Sequence, residues 1–392
     1  MTKILEAEIT DLAGSKKHHH FRLDQSLNVF WGLNGSGKTS FLRILQSALI
    51  NDASLIADVA FETARVVYFS EDYGATFERT LTKEISKSAN ADSGNGNRRF
   101  QTEPVGGDSE DEEYAANSGW DTRLVQGDED FRYPLRYKHS YLPISRLNHV
   151  QESQSFRGGE MRLNLDEFNF EVEIETAWRQ YNSVSLVRIR EIQQKGLADI
   201  ISILFQSYTK SDTNQMDHDS TIDEDEAHRL IVDFLVQQKM SLDLDRNAFI
   251  SRYRDQPELQ QVVHRIRDVN QEIDDTTRSQ RAFQKVIGEL YSGDKRIEFS
   301  RFSTIRVLVG RRSMSMDRLS SGEKQLLRIL LATLSGATSP VLVDEPELSL
   351  HIDWQRQLVS CMQEVNPGCQ LILATHSPEV VARIPDNQIF QL

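Results

Sequence analysis

The stretch Gly32-Leu33-Asn34-Gly35-Ser36-Gly37-Lys38-Thr39 fits the pattern Gly-x-x-x-x-Gly-Lys-Ser/Thr, and it is flanked as that pattern must be to work. Leu27 to Trp31 is mostly apolar and reads as a buried strand, whereas Phe41, Leu42, Leu45 and Leu49 recur at helical spacing. Strand, glycine loop and helix therefore follow in order. The glycines let the loop fold back so that backbone N–H groups point inward, and the helix N-terminus adds positive potential to this anion-binding nest. In such a nest the lysine reaches the β- and γ-phosphates of a nucleoside triphosphate and the next hydroxyl sits on Mg²⁺. The candidate cradle is thus Asn34, Gly35, Ser36, Gly37, Lys38, Thr39 and Ser40, with Thr39 also a metal ligand.

A phosphate cradle needs groups that act on the far end of the triphosphate, and the last part of the chain supplies candidates. Leu319-Ser320-Ser321-Gly322-Glu323-Lys324-Gln325 precedes a helix with Leu326, Ile329, Leu330 and Leu334 on its apolar face. Ser320, Ser321 and Gly322 would offer hydroxyls and N–H groups to a phosphate, although Ser-Ser-Gly-Glu is also an ordinary helix start. Val341-Leu342-Val343-Asp344-Glu345 is an apolar run ending in two acids, as expected of a central parallel strand whose C-terminal end faces a ligand. Asp344 would hold Mg²⁺ through Thr39 or water. Glu345 would orient and polarise the attacking water, because γ-phosphate cleavage rests on positioning and charge stabilisation. Gln370 to Ser377 repeats the layout, and His376 at its end would approach the γ-phosphate.

The 392 residues are enough for one large domain with an insertion, or for two domains. No run approaches the roughly 18 apolar residues of a membrane span, and Met1 to Glu6 lacks a signal-peptide layout, so a cytoplasmic protein is expected. Cys361 and Cys369 are too few for a disulfide framework or a cysteine zinc site. The net charge of −14 disfavours a globally basic nucleic-acid surface but leaves room for a local patch. Much of the acidity sits in Asp108 to Glu113 and Asp217 to Glu226, which read as solvated loops.

Along the chain, Ile4 to Asp11 and Phe21 to Trp31 read as two early strands turning at Ala13-Gly14-Ser15. His18, His19 and His20 point in different directions on a strand or turn and make a poor metal cage. Phe21 or a histidine there is a candidate for stacking on adenine. Ala64 to Phe69 and Thr76 to Leu81 predict a hairpin, and Ser86 to Asp130 a long polar insertion without core. Tyr137 to Leu147 regains strand character. Phe168 to Tyr208, Glu226 to Met240, Leu259 to Ile273 and Arg278 to Tyr291 have helical periodicity. The longest uninterrupted stretch of such a pattern, about 35 residues, would extend only ~50 Å, too little for a long coiled-coil arm. The expected division is residues 1–150 as an N-terminal lobe, 151–295 as a helical insertion and 296–392 as a C-terminal lobe.

Together these motifs resemble the ATP-binding-cassette class of ATPases, in the branch with SMC, RecF-like and OLD-like proteins. The likeness covers about Ile4 to Gln46 and Arg318 to Leu392. Leu319 to Gln325 resembles the signature motif, Asp344-Glu345 the Walker B pair and His376 the switch histidine. The resemblance implies an α/β P-loop NTPase fold, an ABC-type head with an antiparallel β subdomain and an inserted helical domain. It implies ATP and Mg²⁺ as ligands, Glu345 and His376 as catalytic, and slow hydrolysis. It also implies a homodimer or higher homo-oligomer, because in this class the signature of one subunit closes over ATP on the glycine loop of another. His351 stands where SMC-like heads usually carry an aspartate, a departure that looks like the smaller cassette ATPases of bacterial genome defence. The Q-loop glutamine has no clear place, the region near Arg146 being its expected location. OLD-like relatives carry a C-terminal Toprim nuclease, and none is expected here, because the sequence ends at Leu392 directly after the ATPase-like motifs. The first expectation is an ATPase whose assembly controls a separately encoded effector in anti-phage defence. The alternative is a RecF/SMC-like DNA-repair ATPase that binds duplex DNA; a transporter subunit is disfavoured, and no membrane partner is expected.

Overall fold

Helix α1 (Lys38–Ile50) buries Phe41, Leu42, Ile44, Leu45, Ala48 and Leu49, a distribution that leaves almost no wet face and requires cover from opposite sides. The computed structural model describes residues 2–83, 119–127, 137, 139–142, 165–206, 222–237, 244–291, 295–300 and 304–392. Cover for α1 comes from two five-stranded sheets, both of which contribute to one core. The antiparallel sheet contains β1 (Thr2–Thr10), β2 (His18–Arg22), β4 (Thr63–Ser70), β5 (Ala75–Thr82) and β6 (Asp121–Gln126), in the order β2-β1-β4-β5-β6. The parallel sheet contains β3 (Leu27–Trp31), β7 (Ser140–Leu142), β11 (Val341–Asp344), β12 (Leu371–Thr375) and β13 (Ile389–Gln391), in the order β13-β3-β12-β11-β7. Strands β11 and β12 are buried throughout, as befits the middle of a parallel sheet.

This is the α/β architecture that the motifs imply. Its details differ from the sequence pattern in several places. Phe21 to Trp31 is two strands, because Asp24 accepts from the backbone N–H of Ser26 and Leu27 and turns the chain between them. Phe21 packs edge-on against Phe30 and Phe41 in the core, so it does not present a face to adenine; half-buried His19 stacks on it instead. His18 and His20 share the other face of β2 and pair with Glu8 and Glu6.

The polar segment expected to lack core also needs correction. Asp121 to Gln126 forms β6 against β5, and buried Trp120 donates to the Ser47 hydroxyl of α1 at 2.9 Å. Residues 86–118 and 128–130 of that segment, with Asp108 to Glu113, lie outside the described residues, as does Arg146.

A three-stranded antiparallel sheet comprises β8 (Lys295–Phe299), β9 (Ile305–Val309) and β10 (Arg312–Met314), in the order β10-β9-β8. The remaining long elements are helices α2 (Leu165–Gln206), α3 (Glu224–Gln237), α4 (Arg246–Asp255), α5 (Pro257–Leu290), α6 (Ser321–Ser335) and α7 (Ile352–Val365), with the short α8 (Pro378–Val381) near the end. The molecule divides into one unit of Met1–Trp178 with Ala282–Leu392 and another of Arg179–Arg281, so both boundaries fall within α2 and α5.

In the second unit, Asn182 accepts from Gln280, Val269 packs over Gly196, and Asp199 pairs with Arg265, an order that makes α2 and α5 antiparallel neighbours. Ile200, Ile231, Phe234, Phe249, Val263 and Ile266 form its core. Helix α2 is a continuous 42 residues, longer than the pattern in the sequence suggests. Leu259 to Ile273 and the segment from Arg278 to Leu290 likewise belong to one 34-residue helix, with Tyr291 just past its end. The polar Asp274-Asp275-Thr276-Thr277 break is bridged by the two threonine hydroxyls, which donate to the Glu272 and Ile273 carbonyls one turn back. Glu224, Asp225 and Glu226, read as loop acids, occupy the first turn of α3, where negative charge complements the helix dipole.

Candidate functional site

Parallel register sets the site. Strands β3, β12 and β11 lie side by side, pairing Trp31 with Thr375 and Ala374 with Asp344, so the residues just beyond their C-terminal ends emerge together. Those residues are the glycine loop, Thr375-His376-Ser377 and Asp344-Glu345.

The loop adopts the conformation for which its glycines are needed. Gly37 has φ 99°, and a Cβ there would press on Leu12 at 3.1 Å and Ala13 at 3.4 Å, both in the β1–β2 turn. Phe41 N–H donates to the Gly37 carbonyl, leaving the N–H groups at the start of α1 directed at the loop. Lys38 is buried, and its Nζ donates to the Gly32 carbonyl at 2.8 Å and the Leu33 carbonyl at 3.1 Å while lying 3.8 Å from Glu345 Oε1. Leu33, Asn34 and Gly35 are exposed, and Ser36 Oγ is buried without a hydrogen-bond partner among the described residues. Thr39 and Ser40 begin the helix and are half-buried.

Asp344 is 1% exposed, and among the described residues neither of its carboxylate oxygens accepts a well-formed hydrogen bond. Burial pushes its carboxyl up to about 6, against the pull of the nearby Thr39 hydroxyl, with Glu345 adding to the rise and Lys38 opposing it. An unpartnered buried carboxylate beside a hydroxyl is a hard-oxygen donor set, which fits Mg²⁺. Thr39 and Asp344 are therefore the residues that would hold the metal.

Glu345 takes the left-handed conformation at φ 49°, unusual for a side-chain-bearing residue and costing about 1–3 kcal/mol. Its N–H donates to the Ala374 carbonyl at 2.8 Å, which holds the kink. The side chain faces Lys38 on one side and His376 on the other, with Nδ1 of His376 2.5 Å from Glu345 Oε2.

Glu347 is the residue that sequence reasoning missed. It is 4% exposed, and its Oε1 accepts from the Thr375 hydroxyl at 2.6 Å, His376 N–H at 2.9 Å and Ser377 N–H at 3.1 Å. The only signal in the sequence is a third acid shortly after Asp344-Glu345.

Ser320 and Ser321 are exposed at the N-terminus of α6, on the same unit but without a contact to the glycine loop among the described hydrogen bonds. Ser320 Oγ accepts from Glu323 N–H at 3.2 Å, and Glu323 returns to Ser320 N–H, a complete capping box. Burial works against ionised Glu323, but Lys295 and the Ser320 groups win and hold its carboxyl below the ordinary value. Gly322 is buried: a Cβ there would lie 2.4 Å from the Ser349 carbonyl oxygen. Its small size thus serves packing against its own chain, besides whatever it offers a ligand.

Among the described residues no helix is long and apolar enough to cross a membrane. Comparison with known proteins finds several relatives over limited stretches. A protein of Vibrio cholerae serotype O1 biovar El Tor named "Retron Vc95 probable ATPase" is 31% identical over 127 residues, 29% of this chain and 25% of the relative. "Retron Ec83 probable ATPase" of Escherichia coli is 32% identical over 93 residues, 20% and 17% of the two chains. Septu protein PtuA of Bacillus thuringiensis is 35% identical over 52 residues, 13% of each. The chain thus spans a quarter or less of the length of the curated relatives it matches. Among solved structures, an Smc head domain with an extended coiled coil from Pyrococcus furiosus aligns over 100% of this chain and 93% of its own, at TM-score 0.42 and 12% identity. A family model described as "AAA domain, putative AbiEii toxin, Type IV TA system" matches residues 27–382. The chain belongs to that family, and its glycine loop, paired acids and parallel sheet give it the α/β fold and phosphate-binding loop of a P-loop nucleotide-binding protein.

Proposed function

We propose that this chain hydrolyses ATP with Mg²⁺, that two copies close head to tail over two ATP molecules, and that this association controls a separately encoded effector in bacterial anti-phage defence. The observation that carries the catalytic part is the meeting of Lys38, Glu345 and His376, with 3.8 Å and 2.5 Å between neighbours, at the ends of three adjacent parallel strands. Lys38 neutralises charge on the β- and γ-phosphates, Glu345 orients the attacking water, and His376 contacts the γ-phosphate. Mg²⁺ held by Thr39 and Asp344 would supply further neutralisation of phosphate charge.

The exposed Ser320 and Ser321 at the N-terminus of α6 support closure by a second copy, since their two hydroxyls and the Ser321 N–H suit a γ-phosphate. ATP then acts as a removable part of the interface, and its hydrolysis releases the pair. The names of the retron ATPase relatives and of PtuA support the defence setting.

Glu345→Gln tests the reading. ATP binding should persist while sizing chromatography with ATP and Mg²⁺ shows a dimer or larger assembly that no longer decays. Hydrolysis at the wild-type rate would remove Glu345 from its role. Stoichiometric co-purification of the neighbouring gene's product supports the effector, whereas salt-sensitive binding to duplex DNA would replace it with the repair alternative.

A further inference from the structure

Glu347 lies outside every motif assigned above, yet it makes the densest set of polar contacts in the site. Its single oxygen Oε1 receives the Thr375 hydroxyl and two successive backbone N–H groups, those of His376 and Ser377, and lies 3.1 Å from His376 Nδ1. A carboxyl group at 4% exposure is costly unless donors meet it, and here three donors converge on Oε1. The turn that carries His376 is therefore anchored at its backbone, and the anchor comes from the chain just beyond β11.

Geometry ties this anchor to the reaction. Glu347 follows Glu345 by one intervening residue, Pro346, while Thr375-His376-Ser377 ends the neighbouring strand. The carboxylate thus fixes the distance between two strand ends, and with it the 2.5 Å approach of His376 to Glu345. A second brace runs alongside: Ser377 Oγ bonds Gln355 at 2.8 Å, and Gln355 in turn donates to the Leu350 carbonyl at 3.0 Å. That brace holds Ser377 but does not reach the His376 ring.

We infer that Glu347 is a positioning residue for ATP hydrolysis, setting the Thr375–Ser377 turn so that the His376 ring stands against Glu345 and the γ-phosphate position. The inference rests on the reading of Glu345 and His376 given above. Lys38 and Thr39 take no part in the Glu347 contacts, so Glu347 governs turnover and leaves nucleotide binding to the loop.

The test is a double-mutant cycle of Glu347→Ala and Glu347→Gln, each in wild-type and His376→Ala backgrounds, with single-turnover ATP hydrolysis measured at excess enzyme so that slow rates remain readable. Binding of a fluorescent ATP analogue with Mg²⁺ is measured in parallel. Glu347→Ala should lower the hydrolysis rate by at least ~tenfold, with analogue affinity within about twofold of wild type. Glu347→Gln keeps an acceptor oxygen for the N–H groups and should recover part of the loss. In the His376→Ala background, replacing Glu347 should have no further effect. Equal losses in both backgrounds, a loss confined to affinity, or no loss would overturn the inference. If the alanine variant does not fold, the glutamine variant carries the same cycle. A wild-type chain that binds or turns over no ATP would sink the underlying ATPase reading, a result distinct from normal wild-type turnover that ignores Glu347.

Discussion

Asp344 should make the nucleotide-free protein less stable than it would be with a neutral residue there, and Asp344→Asn exposes that cost. The carboxyl keeps its proton up to about pH 6 in the folded chain, against an ordinary value of 3.8. Between those values the folded state binds more protons than the unfolded state, so stability falls as pH rises through the window and stays low above it. At ~1.36 kcal/mol per pH unit the full cost of ionisation is about 3 kcal/mol. An amide of the same size keeps the burial and removes the charge, so the comparison reads the cost of the charge. In thermal unfolding with EDTA, Asp344→Asn should therefore be more stable by about 3 kcal/mol above pH 7 and by roughly half of that at pH 5. For the unit of Met1–Trp178 and Ala282–Leu392, about 2.1 cal/mol/K per residue converts the larger figure to a Tm rise of about 5 °C. ATP with Mg²⁺ should raise the melting temperature of the wild type and not that of the variant. A pH-independent difference, or a variant no more stable than wild type at pH 8, would refute the account of Asp344 as a buried charge awaiting a cation.

Other substitutions probe separate links. Gly322→Ala places a Cβ 2.4 Å from the Ser349 carbonyl oxygen and should cost about 1–3 kcal/mol in denaturant unfolding; an unchanged midpoint would reject packing as a reason for glycine there. Arg79 is fully buried, donates to the Ala48 carbonyl at the end of α1 and lies 5.5 Å and 5.4 Å from the Tyr68 and Tyr137 ring centres. Arg79→Met should lower stability by about 2 kcal/mol or more, because the helix carbonyl is left without its donor; stability equal to wild type would show that other groups satisfy it. Ser320→Arg should leave binding of the ATP analogue to the monomer intact and abolish ATP-dependent association in light scattering. Normal association would reject the contribution of this turn to a second copy's site.

How much was legible depended on whether a contact is local. Gly37, Lys38 and Thr39 could be read because a phosphate nest is built from consecutive backbone groups, and the neighbouring strand and helix announce themselves by period. Asp344 and His376 stood out because acids or a histidine end fully apolar runs. Phe21 looked available for stacking, but its partners Phe30, Phe41 and Phe390 come from three different elements. Trp120 lay in a polar stretch and found its place only through Ser47.

The order and spacing of residues alone established a P-loop α/β protein with paired acids and a terminal histidine, since each motif's chemistry is carried by neighbours in the chain. Tertiary structure alone decided that Asp344 is a strongly buried charge, that Gly322 packs on Ser349 and that Glu347 anchors the His376 turn. Those properties arise where segments far apart in sequence meet, and burial and hydrogen bonding between such segments have no period for a sequence to display.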